Sequence, residues 1–484
     1  MPTVTVHVPA PLRDLIGGRP HLEVEARTLD QAMQRLAEAE PLLGARIFGD
    51  DGRVRGHVNL FLDGRDVRDL AEEERRITGP AEVTIVPSIA GGSPREAGGE
   101  DFTPEEAIRY DRQLILPGMG IEGQRRLREA SVLVVGAGGL GSPAALYLAA
   151  AGVGRIGVLD SDRVELSNLH RQILHDTPSV GRTKVDSAGR RLRGLNPDIE
   201  VVPIEARLTA ENALELMAGW DLVVDGSDNF PTRYLVNDAC TLLGVPCVFG
   251  AVFRFEGQVS VFAHPDGPCY RCIFRDPPPS ELVPSCAEAG VLGILPGLVG
   301  TIQAAEAVKL LIGLGTTLVG RLLLVDAGRM EFREVRVRRD PACMACGDSK
   351  TLSGLMDYDE FCGIASGTAV GPTTTATAPE IDVRELETWL REGRPLQLVD
   401  VREEHEWTIC NLGSAGAKLI PLGQLFAHLD DLDRETDVVV YCRSGHRSAV
   451  AVQMLRAAGI GGAVNLRGGI NAWAMEIDPS MPTY

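Results

Sequence analysis

Cys442 stands in the stretch YCRSGHRS, directly after the apolar run DVVVY and directly before a helix-like segment. A buried strand that delivers a thiol to a helix N-terminus surrounds it with backbone N–H groups, here those of Arg443, Ser444, Gly445, His446 and Arg447. Such an anion-holding nest makes a thiolate a strong nucleophile. A loop that cradles phosphate needs Arg at the sixth position after the cysteine. Here Arg447 is fifth and Ser448 sixth. The loop is one residue too tight for phosphate and fits the single extra sulfur of a persulfide.

A second constellation lies mid-chain. The run SVLVVGAGGLG carries Gly136, Gly138 and Gly141 in the spacing G-x-G-x-x-G, with Gly139 as an added glycine. Strand, tight turn and helix in that order open a nucleotide-binding α/β domain, and Asp160 closes the next apolar run where a ribose-binding carboxylate belongs. Taken alone this predicts an NAD-dependent oxidoreductase. The residues that follow argue otherwise. Arg171 and Lys184 are suited to neutralising charge that grows on a departing pyrophosphate, with solvated surface cations as the alternative. Asp228 and Asn229 follow the run DLVVD, where open α/β sheets hold ligands. Asp228 can carry Mg2+ on the phosphates or position an attacking carboxylate; Asp225 reads as a structural strand-end residue.

Two C-x-x-C pairs, Cys269/Cys272 and Cys343/Cys346, sit in turn-like contexts and together suit the thiolate tetrahedron of a structural zinc site, with redox or unlinked cysteines as the alternative. Cys286, in VPSCAEAG, is single and flanked by small residues; a mobile reactive thiol and a small buried hydrophobe are both open.

These residues require several domains. A chain of 484 residues is too long for one core. With 67 acidic and 48 basic residues, its net charge of −19 disfavours a dedicated nucleic-acid surface. The N-terminus lacks a signal-peptide pattern and no uninterrupted apolar run reaches membrane length, so no membrane partner and a cytoplasmic location are expected. Ten cysteines, late and irregular, suit metal and thiol chemistry in a reducing compartment. Residues 1–92 read as a small α+β domain ending in the bare tail Gly91-Gly92, thin enough to enter another protein's site or simply the start of a linker. Residues 93–100 read as a linker, 101–348 as the nucleotide domain, 349–379 as a flexible tether and 380–484 as a last α/β domain.

Three resemblances follow from these stretches. VNLFLDG and VTIVPSIAGG resemble the ubiquitin-like sulfur carriers of the MoaD, ThiS and CysO kind, which implies a β-grasp fold and a terminal glycine that is adenylated. Gly92 is followed by Ser93, so its carbonyl is an amide until a protease frees it; otherwise the domain is a resident regulator and a separate carrier is the substrate. RYDRQ, GAGGLG, LDSDRVELSNLHRQ, VGRTKVDSA, DGSDN, PCYRC, CAEAGV and CMACG resemble the MoeB/ThiF adenylyltransferases, bacterial relatives of ubiquitin-activating enzymes with a Rossmann-like domain. That resemblance implies ATP contacts from Gly139, Asp160, Asn168, Arg171, Lys184, Asp228 and Asn229, with Asp228 on Mg2+. It implies that Arg112 reaches the ATP of a second subunit in a homodimer, and that Cys286 matches a loop cysteine which in some relatives accepts the carrier. LVDVRE, YCRSGHRS and NLRGGINAW resemble a rhodanese-like sulfurtransferase domain, although ICNLGSAGAKLIP departs from its usual pattern. Together they imply adenylation of a carrier's C-terminal glycine, then sulfur transfer from a Cys442 persulfide loaded by a cysteine desulfurase or thiosulfate. A non-catalytic scaffold held by its own Gly-Gly segment is the remaining alternative.

Overall fold

The computed structural model describes residues 1–49, 52–56, 58–87, 102–278, 290–363 and 378–483. Gly91, Gly92 and Cys286 lie outside them. The chain divides into two compact units, Met1–Ala97 and Gly98–Tyr484.

In the first unit, alternating apolar residues give strands β1 (Thr3–His7), β2 (His21–Glu25), β3 (Val58–Leu62), β4 (Arg65–Asp66) and β5 (Ala81–Pro87). They pair in the order β2-β1-β5-β3-β4. β1 and β5 run parallel and the other pairs antiparallel. Helix α1 (Leu29–Ala39) starts at Thr28, whose hydroxyl accepts the Gln31 N–H, and it buries Leu29, Met33 and Leu36 against Val4, Val6, Val83 and Ile85.

The second unit holds two sheets. The larger has eight strands: β6 (Ser131–Val135), β7 (Arg155–Leu159), β8 (Glu200–Ile204), β9 (Leu222–Asp225), β10 (Cys247–Phe253), β11 (Glu256–Phe262), β12 (Arg321–Asp326) and β13 (Glu331–Arg336). Their order is β13-β12-β11-β10-β9-β6-β7-β8, parallel from β10 to β8 and antiparallel beyond β10. Every residue of β6 is buried, as a central parallel strand requires. The chain moves outward from β6 through β7 to β8, then returns to lay β9 on the other side of β6. That reversal opens a crevice at the carboxyl ends of β6 and β9.

The helices around the sheet include α2 (Pro104–Leu114), α3 (Gly141–Ala151), α4 (Lys184–Leu195), α5 (Phe230–Leu243) and α6 (Ile294–Ile312). Helix α6 is long and apolar enough to cross a membrane by length and composition. It is nevertheless a core helix. Leu295, Val299, Ala304, Ala307 and Ile312 are buried in the sheet's hydrophobic cluster, and its Gln303 amide donates to the carbonyls of Asp225 and Val248 at 2.7 and 3.0 Å.

Residues 349–363, expected within a flexible tether, are ordered parts of this unit. Leu352, Tyr358 and Cys362 are buried, and the short helix α7 (Tyr358–Phe361), capped by Asp357, packs on α5. The Thr, Gly and Ala of SGTAVGPTTTATAP dominate the composition of that region, whereas the preceding LMDYDEFC carries the apolar anchors. Cys362 sits in this apolar setting, where burial pushes its thiol up to about 11.

The last sheet is wholly parallel: β14 (Glu380–Ile381), β15 (Leu396–Asp400), β16 (Lys418–Leu419), β17 (Asp437–Tyr441) and β18 (Ala463–Leu466), ordered β14-β18-β17-β15-β16. Helix α8 (Glu404–Ile409) follows β15, and α9 (His446–Ala457) follows β17.

Candidate functional site

The turn after β6 is shaped by two glycines. Gly136 has φ +91°, and a Cβ on Gly141 would lie 1.8 Å from the Gly136 carbonyl oxygen, so α3 can begin only with glycine there. Asp160, at the end of β7, accepts the N–H groups of Ala137 and Asp162, each at 2.8 Å. Behind the turn, buried His175 fixes the same residue from the other side. Its Nε2 lies 2.9 Å from the Ala137 carbonyl and must donate to it, leaving Nδ1 to accept the Ser187 hydroxyl at 3.0 Å. Burial, with Lys184 nearby, holds His175 below the ordinary histidine range.

Turn and carboxylate open onto a cleft of about 1050 Å³ at the carboxyl ends of the parallel strands. Gly136, Gly138, Gly139, Asp160, Arg171, Lys184, Asp228 and Asn229 all line it. Gly141 does not: its part is the turn itself. The added Gly139 is constrained by packing, since a Cβ there would meet Pro296 at 3.0 Å.

Lys184 is only 6% exposed, which removes the surface-cation reading for it. Its Nζ lies 2.8 Å from Asp162 and 3.9 Å from Asp160. Arg171 is half-buried, its guanidinium held by the Asn168 side chain at 3.1 Å and the Ser167 carbonyl at 3.1 Å. Asn168 therefore stands behind Arg171 instead of lining the cleft. Asn229 caps α5 by accepting the Thr232 N–H at 3.0 Å, and this places the exposed Asp228 at the cleft mouth. Asp225 is buried with its carboxylate on the Ser227 N–H, and burial pushes its pKa up; it is a scaffold residue.

The cleft has three further polar residues that the motifs did not single out. Gln172, Ser227 and Arg233 line it and are buried. Arg233 was legible in one respect: it is a lone cation on the inward face of FPTRYLVNDAC. Arg112 lies on α2, paired with Asp111 at 2.9 Å and largely exposed, and it does not line this cleft.

The four cysteines of the two C-x-x-C pairs converge. Their sulfur atoms all lie within 4.8 Å of one another, with Cys269–Cys343 at 3.5 Å and Cys272–Cys346 at 3.2 Å. Thiolates about 2.3 Å from a tetrahedral zinc stand about 3.8 Å apart, so the donor set and its spacing fit that ion. The two residues between the first pair reach into α5. The Tyr270 N–H donates to Asn237 at 2.7 Å, and Arg271 forms a bidentate pair with Asp238.

In the last sheet, β17 delivers Cys442, which is 1% exposed, to the start of α9. The Gly445 N–H and the Ser448 hydroxyl point at its sulfur at 3.1 and 3.4 Å. Arg447 is held in a bidentate pair by Glu406 of α8, at 2.7 and 2.6 Å. Ser444 and His446 pair with each other at 3.2 Å. The divergent stretch after Ile409 is tied into the fold by Arg402, fully buried, which binds Asp400 and donates to the Cys410 carbonyl at 2.7 Å.

Comparison with known proteins places these features. The ThiF family model matches residues 110–345 and the rhodanese-like domain model residues 382–476. The probable adenylyltransferase/sulfurtransferase MoeZ of Mycobacterium tuberculosis is 47% identical over 386 residues, which is 78% of this chain and 96% of that protein. A sulfur carrier protein adenylyltransferase of Thermus thermophilus is 59% identical over 268 residues, or 54% of this chain and 99% of that protein. The adenylyltransferase and sulfurtransferase MOCS3 of Anopheles gambiae is 44% identical over 394 residues, 78% of this chain and 89% of that protein. Matched by both models and covering most of these relatives, the chain belongs to the family of ThiF-type adenylyltransferases fused to a rhodanese-like domain, the family of MoeZ and MOCS3.

Proposed function

We propose that the protein activates the C-terminal glycine of a ubiquitin-like sulfur carrier with ATP and then passes it sulfur from Cys442. The observation that carries this reading is the cleft in which Arg171, buried Lys184 and Asp228 face one glycine turn. The carrier carboxylate attacks the α-phosphorus of ATP, forming an acyl-phosphate bond and expelling pyrophosphate. Arg171 and Lys184 hold the charge that gathers on the leaving group. Asp228 would hold Mg2+, which adds further charge neutralisation when bound.

The second step uses the last domain. A persulfide on Cys442 attacks the acyl adenylate, directly or after relay through Cys286, and AMP departs with the bonding electrons. A thiol reductant then cleaves the acyl disulfide, leaving the carrier thiocarboxylate. The sulfur donor is a cysteine desulfurase or thiosulfate. Four thiolates at the C-x-x-C pairs hold a structural zinc. Arg112, outside its own cleft, serves the cleft of a second copy, which makes the working form a homodimer. The sheet order β2-β1-β5-β3-β4, with the helices Leu29–Ala39 and Pro41–Ile47 buried in its core, supports a ubiquitin-like β-grasp reading of residues 1–92. That unit is then the carrier once a protease releases Gly92, or a regulator of a separate carrier.

The test is ATP–pyrophosphate exchange with a free carrier ending in Gly-Gly. Exchange should occur and should vanish in Asp228→Ala. Exchange that survives this substitution overturns the role of Asp228, and no exchange with any such carrier overturns the reading.

A further inference from the structure

Leu355, Met356, Asp357, Tyr358 and Asp359 line the nucleotide cleft, although no step above uses them. They form a strap held at two points. The Tyr358 hydroxyl donates to Asp238 Oδ2 at 2.8 Å, and the same carboxylate accepts Arg271 at 2.8 Å. Arg271 lies between Cys269 and Cys272, so the strap and the cysteine cluster share one buried ion pair. At the rim, Asp359 pairs with Arg207 at 3.5 Å, both side chains being exposed.

The sheet order identifies the part of a nucleotide that meets this strap. Phosphates belong at the turn after β6 and the ribose at Asp160 after β7. The next strand outward is β8, so the base extends toward the loop that follows β8. Arg207 belongs to that loop, and it is the residue that pairs with the strap. Leu208, from the same loop, joins Leu235, Leu355 and Met356 in one apolar cluster. The cations Arg171 and Lys184 serve the phosphate end. Apolar side chains on two facing segments make a slot for a flat ring.

We propose that Leu355–Asp359 is the base-binding wall of the cleft, with Tyr358 a positioning residue acting through Asp238 and Arg271. This rests on the adenylation reading. Met356 supplies contact with the adenine ring, and the tyrosine hydroxyl sets where that contact falls.

The experiment compares MgATP with magnesium tripolyphosphate, which has no base, on the full zinc-loaded chain. ATP binding is read by calorimetry and tripolyphosphate binding by displacement of ATP. Met356→Ala, by loss of one apolar contact, and Tyr358→Phe, by loss of the hydroxyl's bond to Asp238, should each weaken ATP about threefold to tenfold and lower the ATP-to-tripolyphosphate affinity ratio by the same factor. Zinc content should stay at the unaltered level. A wall with no role in base binding would leave both affinities unchanged or weaken both equally, and either result overturns the proposal. If the unaltered chain binds no ATP, the adenylation reading falls and takes the wall with it. If it binds ATP and the ratio does not move in the variants, only the wall falls.

Discussion

Lys184 is a cation kept out of water by its position between Asp160 and Asp162, and its ammonium faces the glycine turn. Replacing it by Met keeps most of the stem and removes the charge. Exchange in Lys184→Met should fall about 10²-fold to 10³-fold, the scale of losing one preorganised donor, while far-UV circular dichroism stays unchanged. His175 acts on the same turn through stability. It is neutral in the folded chain because burial holds its pKa down, whereas the unfolded chain takes up a proton near the ordinary value of about 6.5. Stability that is full above that value is therefore lost as pH falls from there toward the lower folded value, at up to about 1.4 kcal/mol per pH unit. Urea midpoints at pH 8 and pH 5.5 should differ less in His175→Gln than in the unaltered chain. At this scale the sequence was most legible where chemistry follows from residue type and short spacing, as at Asp160, Lys184 and Cys442. Gln172, Ser227 and Arg233 escaped because only packing shows which polar side chains are buried in the lining of a cleft.

Helix α5 is the element that joins the parts. It begins at Asn229 beside Asp228, carries Arg233 into the cleft, and receives Arg271 and Tyr358 at Asp238. The Arg271–Asp238 pair is almost wholly buried, so removing one partner leaves an uncompensated charge. Asp238→Ala should cost about 3–5 kcal/mol in urea unfolding, and Arg271→Leu combined with Asp238→Leu should cost less than the sum of the single changes. Because Arg271 sits inside a C-x-x-C pair, stripping metal from the four sulfurs should also disturb the cleft. A strong chelator should lower the melting temperature and weaken ATP binding together, and added zinc should restore both. The strands and the cysteine pairs could be read from pattern because each is local. Residues 349–363 could not, because three buried side chains, Leu352, Tyr358 and Cys362, anchor them beside a stretch of small residues whose composition resembles a tether.

Across the whole molecule, each sheet has a core of its own. The first unit buries Val4, Val6, Leu36, Leu43, Val83 and Ile85 in one cluster whose described members all belong to that unit. Residues 1–92 made alone should therefore unfold in one cooperative transition by calorimetry; a gradual, non-cooperative melt would show that this core is insufficient. Changes of pattern along the chain marked out the stretches that hold the three sheets. Their true edges depended on tertiary anchors, and one of these edges moved.

That moved edge changes how far sulfur must travel. The N–H of Gly363, at the end of the strap, is held by the Glu360 carbonyl at 3.0 Å, and Ala378 precedes β14. The covalent connection between the adenylating and sulfur-bearing parts is thus residues 364–377, with a contour of at most about 50 Å. A covalent limit of that length keeps the two parts within reach of one another and raises the effective concentration of one reactant at the other. An acyl adenylate formed in the cleft would then meet its own chain's persulfide far more often than one from solution. Lengthening the segment with Gly-Ser repeats would slow thiocarboxylate formation while leaving pyrophosphate exchange untouched.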